Sequence, residues 1–414
     1  MAPPHVPDIH HRRRRWTQTV LPRRTAQACY FPANRGKNVN HLQTLTAICN
    51  LPTAPYREQL VVAWLLEWAK QRRIHVTRDG VGNVYLHYRR GKPFKRPLII
   101  EAHMDHPGFV VKKQRRDGTI EAAFRGGVKP SLFEKARAKF FTDRWHPTRV
   151  LTVKPNKKSR FLDVTLAAVK EKLPPGTLGM WDLPDAVIEN GLFKSRVCDD
   201  LGGVAAIVCL FEELLDQKID GHVIGLCSRA EEVGFGGVLA ACENKWLPKN
   251  AVIIGLETSK ASDFAKQGNG AIIRVGDRTG LFSLGLTHFV TQAAASIADD
   301  DKHFKYQRAL MSGGTCNTTA VTAYGFDATC LCVALGNYHN QHVKGDPGYG
   351  DAPKAGPGIA SETIHTGDFL GMVGILVAVV QRFKTYTPGV DFLRERFHKL
   401  HRDEQVALFK TTPL

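Results

Sequence analysis

Among the 414 residues there are nine cysteines but no CxxC pair. An odd number scattered along the chain argues against a disulfide framework and fits a reducing compartment, so a cytoplasmic location is expected. No apolar run reaches the ~20 residues that cross a bilayer; the longest, Phe369–Val380 (FLGMVGILVAVV), reads as a core helix, and no membrane partner is expected. GxSxG is absent, as are GxxxxGK[ST] and a GxGxxG following a strand. A nucleophile-elbow hydrolase and a nucleotide-binding protein therefore lack support. Residues 1–38 contain no signal-peptide core, for which about 7–15 apolar residues are needed, and read as a basic disordered leader outside the fold.

Acidic residues are scarce: 39 Asp and Glu face 57 Lys and Arg, a formal net charge of +18. The excess is local. Residues 1–38 hold eight Lys/Arg against one Asp, and residues 89–160 hold twenty against six acids. Such patches attract nucleic acid, anionic surfaces or acidic substrates. Nucleic acid is disfavoured here, because the basic run lacks the interleaved aromatics of a stacking platform and no binding motif accompanies it.

Hydrophobic patterning divides the remainder. Glu58–Arg72 has Leu60, Trp64, Leu65 and Trp68 at helical spacing, and the stretches around Val84–Tyr88 and Leu98–Ile100 read as strands. From Lys112 to Asn190 the texture changes to short β-like runs broken by Gly and Pro, the pattern of a small all-β module. After Gly191, strands alternate with helices, as in an α/β sheet with largely parallel pairing. The expected architecture is an α/β/α sandwich with a mixed, largely parallel sheet over residues 39–111 and 191–385. A small all-β module (112–190) is inserted into it, and a helical tail (386–414) follows.

Chemistry-bearing residues gather at the predicted strand ends: "EAHMDH" (101–106), "CDDLGG" (198–203), "RAEEVGFGG" (229–237), "GLETS" (255–259) and "LGNYHN" (335–340). Side chains just beyond strand C-termini converge on one crevice in open α/β sheets. Two divalent cations a few ångströms apart need anionic oxygen ligands and imidazoles, one carboxylate to bridge them, and an unligated carboxylate to take a proton from the attacking water. The paired Glu231 and Glu232 can supply a base and a ligand.

On these motifs, together with "PPGTLGMWDLPDAVIENGLFKSRVCDDLGG" and "SGGTCNTTAV", the chain resembles the tetrahedral glutamyl and deblocking aminopeptidases, some of them once called cellulases, from about residue 40 to 385. The resemblance implies that the inserted module is a β-barrel, and it implies a cocatalytic pair of divalent metals, zinc or cobalt, peptide substrates, and a homo-oligomer, such as a dodecamer, with subunit contacts made by that barrel. It implies that one metal is held by His103, Asp199 and Glu257 and the other by Asp199, Glu232 and His339. Asp199 would be the bridge, with Asp200 following across a cis peptide bond. Glu231 would be the general base, and Asp105 the carboxylate that orients His103. The chain departs from the pattern at Glu257 (more often Asp), Leu201 (usually Arg) and Cys316 (commonly an acid). It also carries a Gly/Pro-rich stretch, Gln341–Gly358, that could cover the crevice or be a plain insertion. His365 is the rival of His339 as a ligand, although "IHTGD" has the composition of a helix-capping turn. A zinc-dependent carboxypeptidase or deacylase using the same site stays open, and a nucleic-acid-binding protein is the distant alternative.

Overall fold

The computed structural model describes residues 40–343 and 357–411. The basic leader and residues 344–356 of the Gly/Pro-rich stretch lie outside the described residues. Two helices, α1 (His41–Cys49) and α2 (Gln59–Arg72), precede three strands, β1 (His75–Arg78), β2 (Val84–Arg90) and β3 (Leu98–His103). All six residues of β3 are buried. That burial fits its unbroken apolar start, because a parallel strand covered on both faces needs no polar alternation.

The chain then leaves the sheet to form a closed barrel of β4 (Gly108–Gln114), β5 (Ile120–Arg125), β6 (Arg137–Phe141), β7 (Trp145–Pro155), β8 (Leu162–Leu166) and β9 (Leu178–Trp181), in the order β4-β5-β8-β7-β6-β9. The barrel thus begins at Gly108, ahead of the change of texture at Lys112. Phe109, Phe124, Phe133, Phe140 and Trp181 fill it and are fully or almost fully buried. Phe109 and Phe124 meet edge-to-face at 4.9 Å between centroids, and Trp181 packs against both. Large aromatics in such geometry give a small barrel a core of its own.

The chain returns through β10 (Val187–Glu189) and β11 (Leu192–Ser195) to α3 (Leu201–Asp216), β12 (Gly221–Ser228), α4 (Gly236–Glu243), β13 (Val252–Lys260) and β14 (Ala271–Asp277). α5 (Leu284–Asp300), β15 (Tyr306–Met311), α6 (Asn317–Ala323) and β16 (Asp327–Leu335) follow. The main sheet has eight strands in the order β1-β2-β12-β3-β13-β16-β14-β15. Its centre, β12-β3-β13-β16, is parallel, with Ser228 beside His103 and Gly255 beside Glu101. The C-terminal ends of these four strands therefore open at one edge.

Beyond β16 come two short strands, β17 (Gln341–His342) and β18 (Gly358–Ile359), then β19 (Glu362–His365), which pairs with β11. α7 (Thr366–Arg382) packs on α3 and α5. Residues 366–385 are long and apolar enough to span a membrane by composition alone, but most of that stretch is buried inside the fold. The apolar run thus serves as a core helix. One face of the sheet is covered by α3, α5 and α7, and α4 and α6 pack together over the other. The fold is an α/β/α sandwich with an inserted barrel. The last helix, α8 (Asp391–Phe409), buries none of its residues.

Candidate metal centre

Five segments deliver side chains to the edge where the parallel strands end. His103 closes β3, and its Nε2 lies 3.3 Å from Asp199 Oδ1. Asp199 stands just before α3, whose N-terminus is capped by Asp200 accepting from the Gly203 N–H at 3.1 Å. A side chain at Gly203 would collide with that carboxylate, so "DDLGG" needs a glycine there. The peptide between Asp199 and Asp200 is cis. The other oxygen of Asp199, Oδ2, lies 3.6 Å from His339 Nε2, and Glu232 Oε2 lies 3.1 Å from the same nitrogen. Glu257 lies inside β13, paired with Cys332 and ahead of the strand's last residue, Lys260, and one oxygen of it falls within 4.8 Å of ligand atoms from both His103 and Asp199.

Two triads able to hold a cation result: His103, Asp199 and Glu257, and Asp199, Glu232 and His339. A third grouping, His103 with Glu231 and Glu232, overlaps both. Asp199 belongs to the first two and turns one oxygen toward each histidine. The donor set suits divalent cations, being imidazole nitrogen and carboxylate oxygen. Two buried carboxylate oxygens, Asp199 Oδ1 and Glu232 Oε1, make no hydrogen bond among the described residues. Buried polar atoms almost always have a partner, and a bound cation is one that fits each of these.

Electrostatics support the same reading. Burial pushes the carboxyls of Glu231 and Glu257 well above the ordinary carboxylate range, and the neighbouring carboxylates push them further. Burial opposes charge on His339, but Glu232 and Asp199 outweigh it and raise the imidazole to about 10. Carboxylates crowded out of water destabilise one another, and positive charge placed between them relieves this.

The supports are as specific as the cluster. Glu58, fully buried, accepts from the Ala230 N–H at 3.2 Å and from Arg229 Nε at 2.8 Å. Asp105 accepts from the Glu231 N–H at 2.9 Å and the Glu232 N–H at 3.2 Å, so its carboxylate fixes the Glu-Glu turn. Toward His103 Nδ1, the carbonyl of Asp105 is at 3.0 Å and its carboxylate at 3.5 Å. Both groups face the ring, and the carbonyl is the nearer. His106 reaches the Asp199 carbonyl with Nδ1 at 2.6 Å and Asn340 with Nε2 at 2.9 Å.

Glu362 is the support that the sequence did not reveal. It is fully buried on β19 and accepts from the N–H groups of Cys198 (2.6 Å), Asp199 (3.0 Å) and His339 (2.9 Å). One carboxylate thus ties the shared aspartate to a histidine that follows a different strand. His339 and its neighbours Asn337 and Asn340 all have left-handed backbone. Asparagine and histidine both enter that conformation more readily than most residues, and the anchor at the His339 N–H holds the chain where it bends. The barrel takes part as well: Gly127, in the segment after β5, offers its carbonyl to His339 Nδ1 at 3.0 Å. His365 lies apart from the cluster and caps α7, accepting from the Gly367 N–H at 3.1 Å.

Residues 82–344 match the profile of the family described as M42 glutamyl aminopeptidase. The chain belongs to that family. Among curated proteins, it is 24% identical over 200 residues to the lysyl aminopeptidase of Pyrococcus furiosus, covering 44% of this chain and 55% of that protein. The matches span less than two thirds of the length of the curated relatives. Among solved structures, the chain is similar in fold to an aminopeptidase from the archaeon Desulfurococcus kamchatkensis (TM-score 0.66, 20% identity, covering 84% of this chain and 98% of that one). It is likewise similar to the TET1 peptidase of Pyrococcus horikoshii (TM-score 0.65, 20% identity, covering 82% and 99%).

The Glu362 bridge predicts a measurable effect on metal retention. Glu362→Gln replaces one acceptor oxygen by a donor facing a backbone N–H, and affinity for a divalent cation should fall by about 10–100-fold. Competition against a chelating dye reads this, and unchanged affinity would contradict the role given to Glu362.

Proposed function

We propose that the protein is a metal-dependent aminopeptidase that removes single residues from the free N-terminus of peptides, using two divalent cations, zinc or cobalt. The observation that carries this reading is the position of Asp199, with one oxygen toward His103 and the other toward His339. On this reading His103, Asp199 and Glu257 hold one cation, and Asp199, Glu232 and His339 hold the other. Bound there, the cations would polarise the scissile carbonyl and lower the pKa of the attacking water.

Glu231 is assigned as the general base. Its backbone is fixed by Asp105, its carboxyl lies 4.0 Å from His103 Nε2, and it is buried at the same edge. From there it can take a proton from the water and pass it to the leaving amine. Asp105 and Glu362 position the backbone that carries these groups and touch no substrate. The eight cysteines among the described residues are all free, which suits a cytoplasmic setting.

We also read the protein as a homo-oligomer. The relative from Pyrococcus horikoshii is described as assembling into a tetrahedron or a large octahedral shell. The inserted barrel supplies none of the proposed ligands and is free to make subunit contacts. Sedimentation velocity should give a particle several times the 45.9 kDa chain, and a monomer at micromolar concentration would contradict the assembly.

The reaction is tested with one peptide in three forms: free at both ends, N-acetylated, and C-amidated. Cleavage should survive amidation and stop on acetylation; the reverse would assign the site to a carboxypeptidase. Glu231→Gln should keep its metals and lose about 10²–10⁴-fold in turnover. Near-wild-type turnover in a fully metallated variant would remove Glu231 from the chemistry.

A further inference from the structure

The eight described cysteines are all buried, and the proposed reaction uses none of them. Cys316, however, borders the cleft that holds His103, Asp199, Glu257 and His339. Its thiol meets that of Cys330 on β16, and Phe282 joins the two in a small cluster apart from the main core. We propose that Cys316 and Cys330 form a redox switch: hydrogen peroxide entering the cleft oxidises Cys316, Cys330 then closes a disulfide with it, and peptide hydrolysis stops until the bond is reduced. The pairing of the thiols stands apart from the aminopeptidase reading, and only its effect on turnover rests on that reading.

The fold brings these thiols together from different elements. Cys330 lies in β16, and the antiparallel register of β14 and β16 sets it directly opposite Arg274. Cys316 stands just before α6, and its N–H donates to Asp277 Oδ2 at 3.1 Å. Asp277 ends β14, so this hydrogen bond fastens Cys316 to the strand that carries Arg274. Access separates the roles of the two thiols. Cys316 lines the cleft with 1% of its surface exposed, whereas Cys330 is at 0% and lines none of it. Gly313 and Gly314, just ahead of Cys316 on the same wall, leave open space where a Cβ would stand. A molecule as small as peroxide can reach the first thiol there, and the second is reached only through the first.

Charge prepares the first step. Burial pushes the Cys316 thiol up, but the hydrogen bond from Cys330 and the charge of Arg274 outweigh this and bring it down to about 6. Burial and the same hydrogen bond push Cys330 well up, so Cys330 keeps its proton. The thiolate is the form that peroxide oxidises. Its sulfur attacks one peroxide oxygen, the O–O bond breaks, and the leaving hydroxide takes up a proton to become water. The Cys330 sulfur then attacks the sulfenic sulfur of Cys316 and gives up its proton. The S–O bond breaks, the S–S bond forms, and a second water leaves. The two thiols lose two electrons, and peroxide gains them. Closure acts on the metal centre through the next residue, Asn317, which donates to Glu101 Oε1 at 2.8 Å and to Ser228 Oγ at 3.1 Å. Glu101 lies on the strand that His103 closes and Ser228 pairs with His103, so a pull on Cys316 is passed to His103.

The test uses the full-length protein, reduced and loaded with zinc, which does no redox chemistry of its own. After exposure to hydrogen peroxide, free thiols are alkylated and the digest is analysed by mass spectrometry. A peptide pair linked through Cys316 and Cys330 should form ahead of any other. Hydrolysis should fall by about tenfold or more as the geometry of the site shifts, with the zinc retained, and dithiothreitol should restore it. In Cys330→Ala, dimedone should trap a Cys316 sulfenic acid that the wild-type protein consumes. Cys316→Ser should resist the same dose of peroxide. Absence of the linked pair from the oxidised wild-type protein would overturn the proposal, whether or not either variant folds. So would a linked pair with unchanged turnover, or a loss of turnover that follows zinc release, survives reduction or persists in Cys316→Ser. If the reduced protein cleaves no peptide at all, the aminopeptidase reading fails, and the linked pair, formed or not, decides for or against the thiol pairing.

Discussion

Carboxylates that are buried together and cannot pair with one another are the constraint from which the rest of this molecule follows. Asp199, Glu231, Glu232 and Glu257 converge at the edge of a parallel sheet, with the imidazoles of His103 and His339 among them. Removing such charges from water costs several kcal/mol each unless a compensating charge is close. Two cations held by the cluster would meet that requirement and, bound there, would lower the pKa of a water, so on the proposed reading the feature that makes the arrangement costly is the one that gives it chemistry. The parallel centre of the sheet makes the arrangement possible, because β3, β12, β13 and β16 all end on the same side.

A second tier of buried acids makes the first tier rigid. Glu58, Asp105 and Glu362 sit at 0% exposure and spend their oxygens largely on backbone N–H groups of the segments that carry the cluster. This places the positioning of the ligands in the main chain, where it does not compete with metal binding. Gly127 extends the arrangement into the barrel, whose carbonyl faces the nitrogen of His339 directed away from the cluster. The inserted module therefore helps to set the orientation of His339, even though it contributes no side chain to the two triads.

Much of the cluster was legible in the sequence because its residue types are costly at those places. Carboxylates and histidines directly after apolar runs, as in "LIIEAHMD" and "VALGNYHN", demand a reason that an ordinary loop does not. The same logic could not reach Glu362. It lies 163 residues from Asp199 and acts on backbone amides, which leave no mark on the partner's identity. The start of the barrel was also blurred. Gly108–Val111 is as apolar as the strand before it, and its pairing with β5 and β9 and the packing of Phe109 among the barrel aromatics assign it to the barrel.

The central claim is that a single carboxylate serves two cations. Equilibrium dialysis followed by elemental analysis of Asp199→Ala tests it most directly, beside the wild-type protein and with circular dichroism to verify the fold. The account predicts two tightly held divalent ions per chain in the wild type and neither in the variant. A folded Asp199→Ala protein that still holds two ions tightly would contradict it.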